Sequence, residues 1–198
     1  MNAFLVETRT SVVATLVFAL LLCGAYPVAV WGLAQALFPS AAGGSLVVKD
    51  GTTVGSSLIG QNFTSPGYFH SRPSAAGKGY DATSSGGTNL GPISQKLLDA
   101  VKTRVEDYRK ENGLAAEVLV PADAVTASAS GLDPHISPAN AALQLPRVAR
   151  ERRLPEKALQ ELVAAHTEGP DLGFLGESRV NVLRLNLALD DIGGQAKR

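Results

Sequence analysis

The chain has little with which to build covalent or metal cross-links. Its 198 residues include one cysteine, Cys23, and three histidines, His70, His135 and His166, that stand far apart. A lone cysteine excludes an internal disulfide, and histidines without a partner at ligand spacing do not make a metal site. Net charge is missing too, because 18 Lys and Arg balance 18 Asp and Glu. No global field therefore draws the chain to nucleic acid. The Gly-Lys-Ser/Thr of a phosphate loop is absent, as is any Gly-x-Ser-x-Gly elbow. These absences argue against a P-loop nucleotide site and an esterase-type nucleophile.

The largest absence is local: no charged residue occurs from Thr10 to Val48. Val12–Leu33 alone, as a helix rising about 1.5 Å per residue, covers roughly 33 Å. That exceeds the ~30 Å hydrocarbon core of a bilayer. Pro27 lies inside this run and is expected to kink it, and Trp31 falls near an interface. A cleaved signal is the rival reading, with Met1–Arg9 as its polar start and Val12–Leu22 as its apolar block. The apolar character continues beyond that block, no small-x-small site follows, and Leu22 stands before Cys23 where a lipoprotein needs a small residue. An uncleaved anchor is favoured. The expected division is residues 1–9 as a cytoplasmic tail, 10–38 as a transmembrane helix, 39–45 as a linker and 46–198 as one soluble domain. Arg9 on one side, with no charge on the other until Lys49, places the domain outside the cytoplasm by the positive-inside tendency.

The remainder is large enough for one domain with its own core. Asp50-Gly51 predicts a hairpin between Leu46–Lys49 and Thr52–Ile59. Gln61–Pro92 shows no periodicity, and an irregular stretch of that length in a compact domain is functional or mobile. A helix is expected from Ile93 to Gly113 with Ile93, Leu97, Leu98, Val101, Val105 and Tyr108 on one stripe, and Glu106 pairing with Lys110. Val118–Val120 reads as a strand. Ser137 and Pro138 open a second helix that Pro146 should kink or interrupt. A third starts at Pro155, Val180–Asn186 reads as a strand, and Leu187–Ile192 as a closing helix. Strands mixed with helices and no βαβ alternation define an α+β class.

Three clusters invite chemistry. Ser130, Asp133 and His135 fall within eight residues of one another, but a turn leading into the Ser137 helix accounts for them more simply than a crowded triad. Ser85–Gly91 is Gly-rich and precedes a helix, a weak anion-binding signal. Arg147, Arg150, Arg152 and Arg153 read as a solvated basic face, with a docking surface for an acidic partner or lipid headgroups as the alternative.

Certain strings are more specific: Gly60-Gln-Asn-Phe-Thr64, Gly67-Tyr-Phe-His70, Arg72-Pro-Ser-Ala75, Ser85-Gly-Gly-Thr-Asn89, Val125–Asp133, Arg147-Val-Ala149 and Val180-Asn-Val182. With the N-terminal anchor, the chain resembles the C subunits of Kdp-type, ATP-driven potassium transporters of bacteria. The resemblance runs from the anchor to Asp190. It implies a non-catalytic, single-span subunit of an inner-membrane complex, an assembly or catalytic chaperone that raises nucleotide affinity. Its implied partners are a channel-like subunit that handles K+, a P-type ATPase subunit that performs the phosphoryl chemistry, and membrane lipid. ATP is the implied cofactor, with Gln144 matched to a glutamine tied to nucleotide contact. Gln61, Asn62, Phe63, Arg72, Asn89, Ser130, Asp133 and Arg147 are the candidates for docking or for shaping the long loop. An anchored hydrolase using Ser130 and His135, or an anchored ligand-binding domain, are the competing readings.

Overall fold

The computed structural model describes the backbone of residues 2–195; Met1 and the last three residues of the expected domain lie outside the described residues. The chain divides into two compact units, Met1–Leu46 and Val47–Arg198.

The first unit is helical. Helices α1 (Asn2–Ala19) and α2 (Tyr26–Leu37) are joined by a π-helical segment, Leu20–Ala25. Together they give one helix over Ala3–Leu37 that is long and apolar enough to cross a membrane, and none of its most apolar stretch is buried. Pro27 lacks the N–H that would bond back to Cys23. The backbone adapts just before it, where Tyr26 N–H donates to Leu21 O, one residue further back than in an α-helix. The expected disturbance at Pro27 thus takes the form of a wide turn. Pro39–Ala42 adds one more helical turn, α3, where a flexible linker was expected.

The second unit is α+β. Its first residues belong to β1 (Leu46–Lys49), which pairs with β2 (Thr52–Ser56), with Asp50 and Gly51 both at positive φ in the turn. From Gly60 to Gly91 the chain contains no helix or strand. Helices α4 (Gln95–Asn112), α5 (Ala122–Val125), α6 (Pro138–Arg152), α7 (Glu156–Ala165) and α8 (Val182–Gln195) follow. Between them run three short strands, β3 (His135–Ile136), β4 (Thr167–Glu168) and β5 (Arg179–Asn181), in the order β3-β5-β4. Both pairings are antiparallel, with Ile136 and Thr167 opposite Val180.

Several expectations shift for identifiable reasons. α4 starts after an exposed Ile93, with Ser94 at its N-cap and Gly113 as a left-handed C-cap. Glu106 and Lys110 form no ion pair among the described residues. Val118–Val120 is not a strand, because Arg109 Nε and Nη2 take the Val118 carbonyl at 3.2 and 2.7 Å. β5 ends at Asn181 and α8 begins at once; Val182, Leu185, Asn186 and Leu189 are buried at helical spacing, so most of the expected Val180–Asn186 strand is helix. α6 runs unbroken through Pro146. Its ring and Ala142, whose carbonyl loses a donor, are both on the exposed face, so the freed carbonyl is not buried. Ser137 Oγ caps α6 by accepting from Asn140 N–H at 3.1 Å, as expected, and Asp123 accepts from Ser137 and Asn140 around it.

The core gathers Phe69 from the long loop, Ile136, the inner face of α6, Leu159 and Val163 of α7, Val180, and the inner face of α8. The loop is held close to the segment before β3. Gly131 has φ +67, and a β-carbon there would meet Ala76 N at 2.6 Å and Gly86 O at 2.7 Å. We predict that Gly131→Ala destabilises the domain by at least about 1–3 kcal/mol, read as a lowered melting temperature of the full chain in detergent.

Candidate functional site

The irregular loop meets α6 and α8 through side chains that act as surrogate backbone. Gln144 Oε1 accepts from His70 N–H at 2.7 Å, and Gln144 Nε2 donates to His70 O at 3.1 Å. Asn186 repeats the arrangement one residue earlier, accepting from Phe69 N–H and donating to Phe69 O, both at 2.9 Å. Each carboxamide offers one donor and one acceptor, the same pair a neighbouring strand would present.

Arg147 completes the clamp. Its guanidinium donates to Asn112 Oδ1 at 3.0 Å, Gln144 Oε1 at 2.9 Å, Tyr68 O at 3.0 Å and Pro66 O. The residue is 1% exposed, so the expectation of a solvated basic face fails at this position. Position 147 lies on the inner stripe of α6 with Gln144 and Val148, and the polar lining of the loop is what makes burial tolerable. Burial pulls the Arg147 pKa down, and nearby Glu111 pushes it the other way. Arg150 remains exposed. Arg152 is intermediate; it lies 4.3 Å over the Tyr68 ring, donates to Gly67 O at 2.7 Å and pairs with Asp190 at 2.8 Å. Every carbonyl from Pro66 to His70 therefore has a side-chain donor.

Beside the clamp, α4 and the loop enclose a cleft of about 430 Å³. Asn62, Phe63, Arg72 and Gln144 line it, with His70, Tyr108 and Asn140. Tyr108 Oη donates to Asn140 Oδ1 at 2.8 Å, and Gln144 Nε2 donates to the same oxygen at 2.9 Å. Burial raises the Tyr108 pKa. Gln144 is itself 1% exposed, with both amide hydrogens and both lone-pair directions in use. His70 Nδ1 lies 2.7 Å from Glu111 Oε1, a contact that holds the Glu111 carboxyl below its ordinary range against the opposing effect of burial.

Most of the candidates also make contacts away from the cleft or lie outside it. Gln61 Nε2 donates to Val54 O at 2.8 Å, tying the loop to β2. Phe63 packs on Tyr68 with ring centres 5.6 Å apart. Arg72 Nη1 pairs with Asp133 Oδ2 at 2.7 Å, while its Nε is buried without a partner among the described residues. Burial raises the Asp133 pKa, but hydrogen bonds from His135 and the Arg72 charge outweigh it and hold the carboxyl below its ordinary value. Asn89 is an exposed left-handed residue in the loop, outside the cleft. Ser130 Oγ accepts from Leu132 N–H at 3.1 Å, and its carbonyl takes Gly86 N–H and Ser85 Oγ. Among the described residues, Ser130 and His135 share no hydrogen bond, so the crowded Ser-Asp-His set is a turn and not a triad. The Gly-rich Ser85–Gly91 segment uses these donors to join the loop to the Ser128–Gly131 segment, leaving them unavailable to an anion. Sequence reasoning missed Asn186, Asn112, Asn140 and Asp190. The available signal was a polar residue recurring on the apolar face of a helix, as Asn186 does between Leu185 and Leu189.

One helix long and apolar enough to cross a membrane, followed by an α+β domain whose buried polar groups brace the loop, defines the class of protein. A profile of the family described as K+-transporting ATPase, c chain (KdpC), matches residues 8–191. The chain is 59% identical over 187 residues to a potassium-transporting ATPase KdpC subunit of Nitratidesulfovibrio vulgaris, covering 94% of each chain. A protein of the same description from Koribacter versatilis is 57% identical over 182 residues, 91% of this chain and 92% of the relative. Another, from Polaromonas naphthalenivorans, is 59% identical over 184 residues, covering 92% and 93%. The chain belongs to the KdpC family.

Two outcomes test the clamp. Arg147→Met leaves several buried acceptors without donors, at about 1–3 kcal/mol each, so it should unfold the domain or lower its stability by more than 3 kcal/mol, roughly, on the same principle. Acid should act through Glu111 and Asp133. Both carboxyls are held below their ordinary values of 4.5 and 3.8, so the unfolded chain binds more protons there. Their stabilisation is complete above those values and is lost as pH falls through the folded ones. The melting temperature should therefore drop steeply below about pH 4.5, and Glu111→Gln with Asp133→Asn should flatten that drop.

Proposed function

We propose that this chain is the accessory, non-catalytic subunit of an ATP-driven potassium uptake complex of the bacterial inner membrane. The observation that carries the proposal is the family match over residues 8–191, which takes in the apolar helix and the folded domain together. In this reading the helix crosses the membrane once, with the short N-terminus in the cytoplasm and the domain outside. Neighbouring subunits bind K+ and hydrolyse ATP, and this chain promotes assembly and nucleotide use without holding nucleotide.

The indirect role for ATP rests on Gln144. Its side chain is buried and bonded at every position, and it aligns the loop at His70. A ligand that took Gln144 would first have to open the clamp and strand the His70 backbone groups, at a cost of about 1–3 kcal/mol each. Gln144 is accordingly a positioning residue, and changes to it reach the ATPase through the shape of the domain. The domain outside the cytoplasm could not meet cytoplasmic ATP in any case.

The test uses the assembled transporter. Deleting Met1–Phe38 should abolish co-purification with the other subunits, while keeping the helix and deleting residues 47–198 should preserve partial assembly and lose K+-stimulated ATP hydrolysis. Unchanged assembly and activity in both would overturn the accessory role. For nucleotide, the full-length chain in detergent should show no saturable ATP binding. Saturable binding abolished by Gln144→Ala at unchanged melting temperature would overturn the indirect role alone.

A further inference from the structure

A short loop between β4 and β5 presents apolar side chains to solvent on a rigid frame. Leu172 is 82% exposed and Phe174 is 74% exposed, with Leu175 also exposed. Single exposed apolar residues are ordinary, but three within four positions form a patch. The frame is unusually well fixed. Asp171 N–H donates to Leu175 O at 2.8 Å and Leu175 N–H donates to Asp171 O at 2.9 Å, closing the loop, and Gly173 N–H donates to Pro170 O at 3.0 Å. Arg179 ties the base down by pairing with Asp171 at 3.1 Å and with Glu168 at 3.3 Å.

Backbone strain sits at the tip. Leu172 has φ +55, a left-handed conformation that branched, bulky residues avoid, and Gly173 and Gly176 follow at +83 and +85. A glycine or asparagine at 172 would relieve the strain, and a polar side chain would suit the exposure. The leucine is disfavoured on both counts within the free chain, so its benefit lies in what covers it.

We infer that the Leu172–Leu175 tip is a preformed knob that docks into an apolar pocket with a basic rim on another subunit of the potassium transporter. This rests on the assignment of the chain to that complex. Charge selects the occupant. Around the tip, Arg179 is paired with Asp171 and Glu168, and Arg184 is paired with Glu168. Asp171 is 69% exposed, and Glu177 is exposed with no ion pair among the described residues. Among the described residues the surround therefore carries surplus negative charge and no unpaired cation. Such a surround is repelled by anionic lipid headgroups, which recruit basic segments. It is equally repelled by the same acidic surround on a second copy of this chain, whereas a basic-rimmed protein pocket complements it.

The experiment uses full-length chain with an affinity tag, expressed with the other transporter subunits. Leu172→Ser with Phe174→Ser should leave the melting temperature of the chain unchanged, since both side chains are solvated, and reduce co-purification of the other subunits at least tenfold. Glu177→Lys should reduce it less, and by an amount that shrinks as salt rises. A photo-crosslinking residue at 174 should attach to another transporter subunit. Adducts to lipid or to a second copy, or undiminished co-purification of the double variant, would overturn the docking site. Failure of the wild-type chain itself to co-purify would instead overturn the assignment to the complex.

Discussion

The domain depends on one buried cation. Among the described residues Arg147 makes no ion pair in the interior; its guanidinium is hydrogen-bonded by neutral oxygens from Asn112, Gln144, Pro66 and Tyr68, with the Glu111 charge acting from further away. A guanidinium has five donors in a rigid plane, so the acceptors must come to it in a set geometry. That requirement fixes the loop against α6 and draws α4 in through Asn112. Lysine would supply the charge but not the fork.

Around this cation, carboxamides take the place of strands. Gln144 and Asn186 satisfy the main chain at His70 and Phe69 from two different helices. Phe69 can then enter the core although its segment belongs to no sheet. The arrangement explains how a stretch of more than thirty residues without regular structure avoids the cost of buried, unpaired backbone groups. It also directs Tyr68 and His70 outward to Asp190 and Glu111, where they brace the helices from the other side.

Much of the architecture was legible in sequence because it follows from local rules. The uncharged run over Val12–Phe38, the Asp50-Gly51 turn, the Ser137-Pro138 helix start and the Gly113 stop each depend on residues within a few positions. What was illegible depends on partners far along the chain. Nothing local to Arg147 distinguishes it from Arg150, yet one is buried and the other solvated, because only 147 faces the loop. Nothing near Val118 says that Arg109 will claim its carbonyl. Pro146 was expected to kink or interrupt the helix because its neighbours in sequence were known and its solvent-facing position was not. The candidates drawn from family strings proved to be mostly braces: Gln61, Arg72, Asp133, Gln144 and Arg147 each hold one segment to another.

The clamp has a bearing on how the domain is made. Residues 66–70 are held by Gln144, Arg147, Arg152 and Asn186, which lie 74 to 117 positions later along the chain in the bonds that define the clamp. Contacts so distant in sequence slow folding, since a large loop must close before any of them forms. During synthesis the segment that becomes the centre of the core emerges early and waits for α8, the last helix, to arrive. Until then the main chain of Phe69 lacks its partner Asn186, and the nascent chain is exposed to aggregation and proteolysis. The hand that closes the domain is thus its C-terminal helix, and a chain cut short before Asn186 loses the main-chain ties of Phe69 along with its final turns.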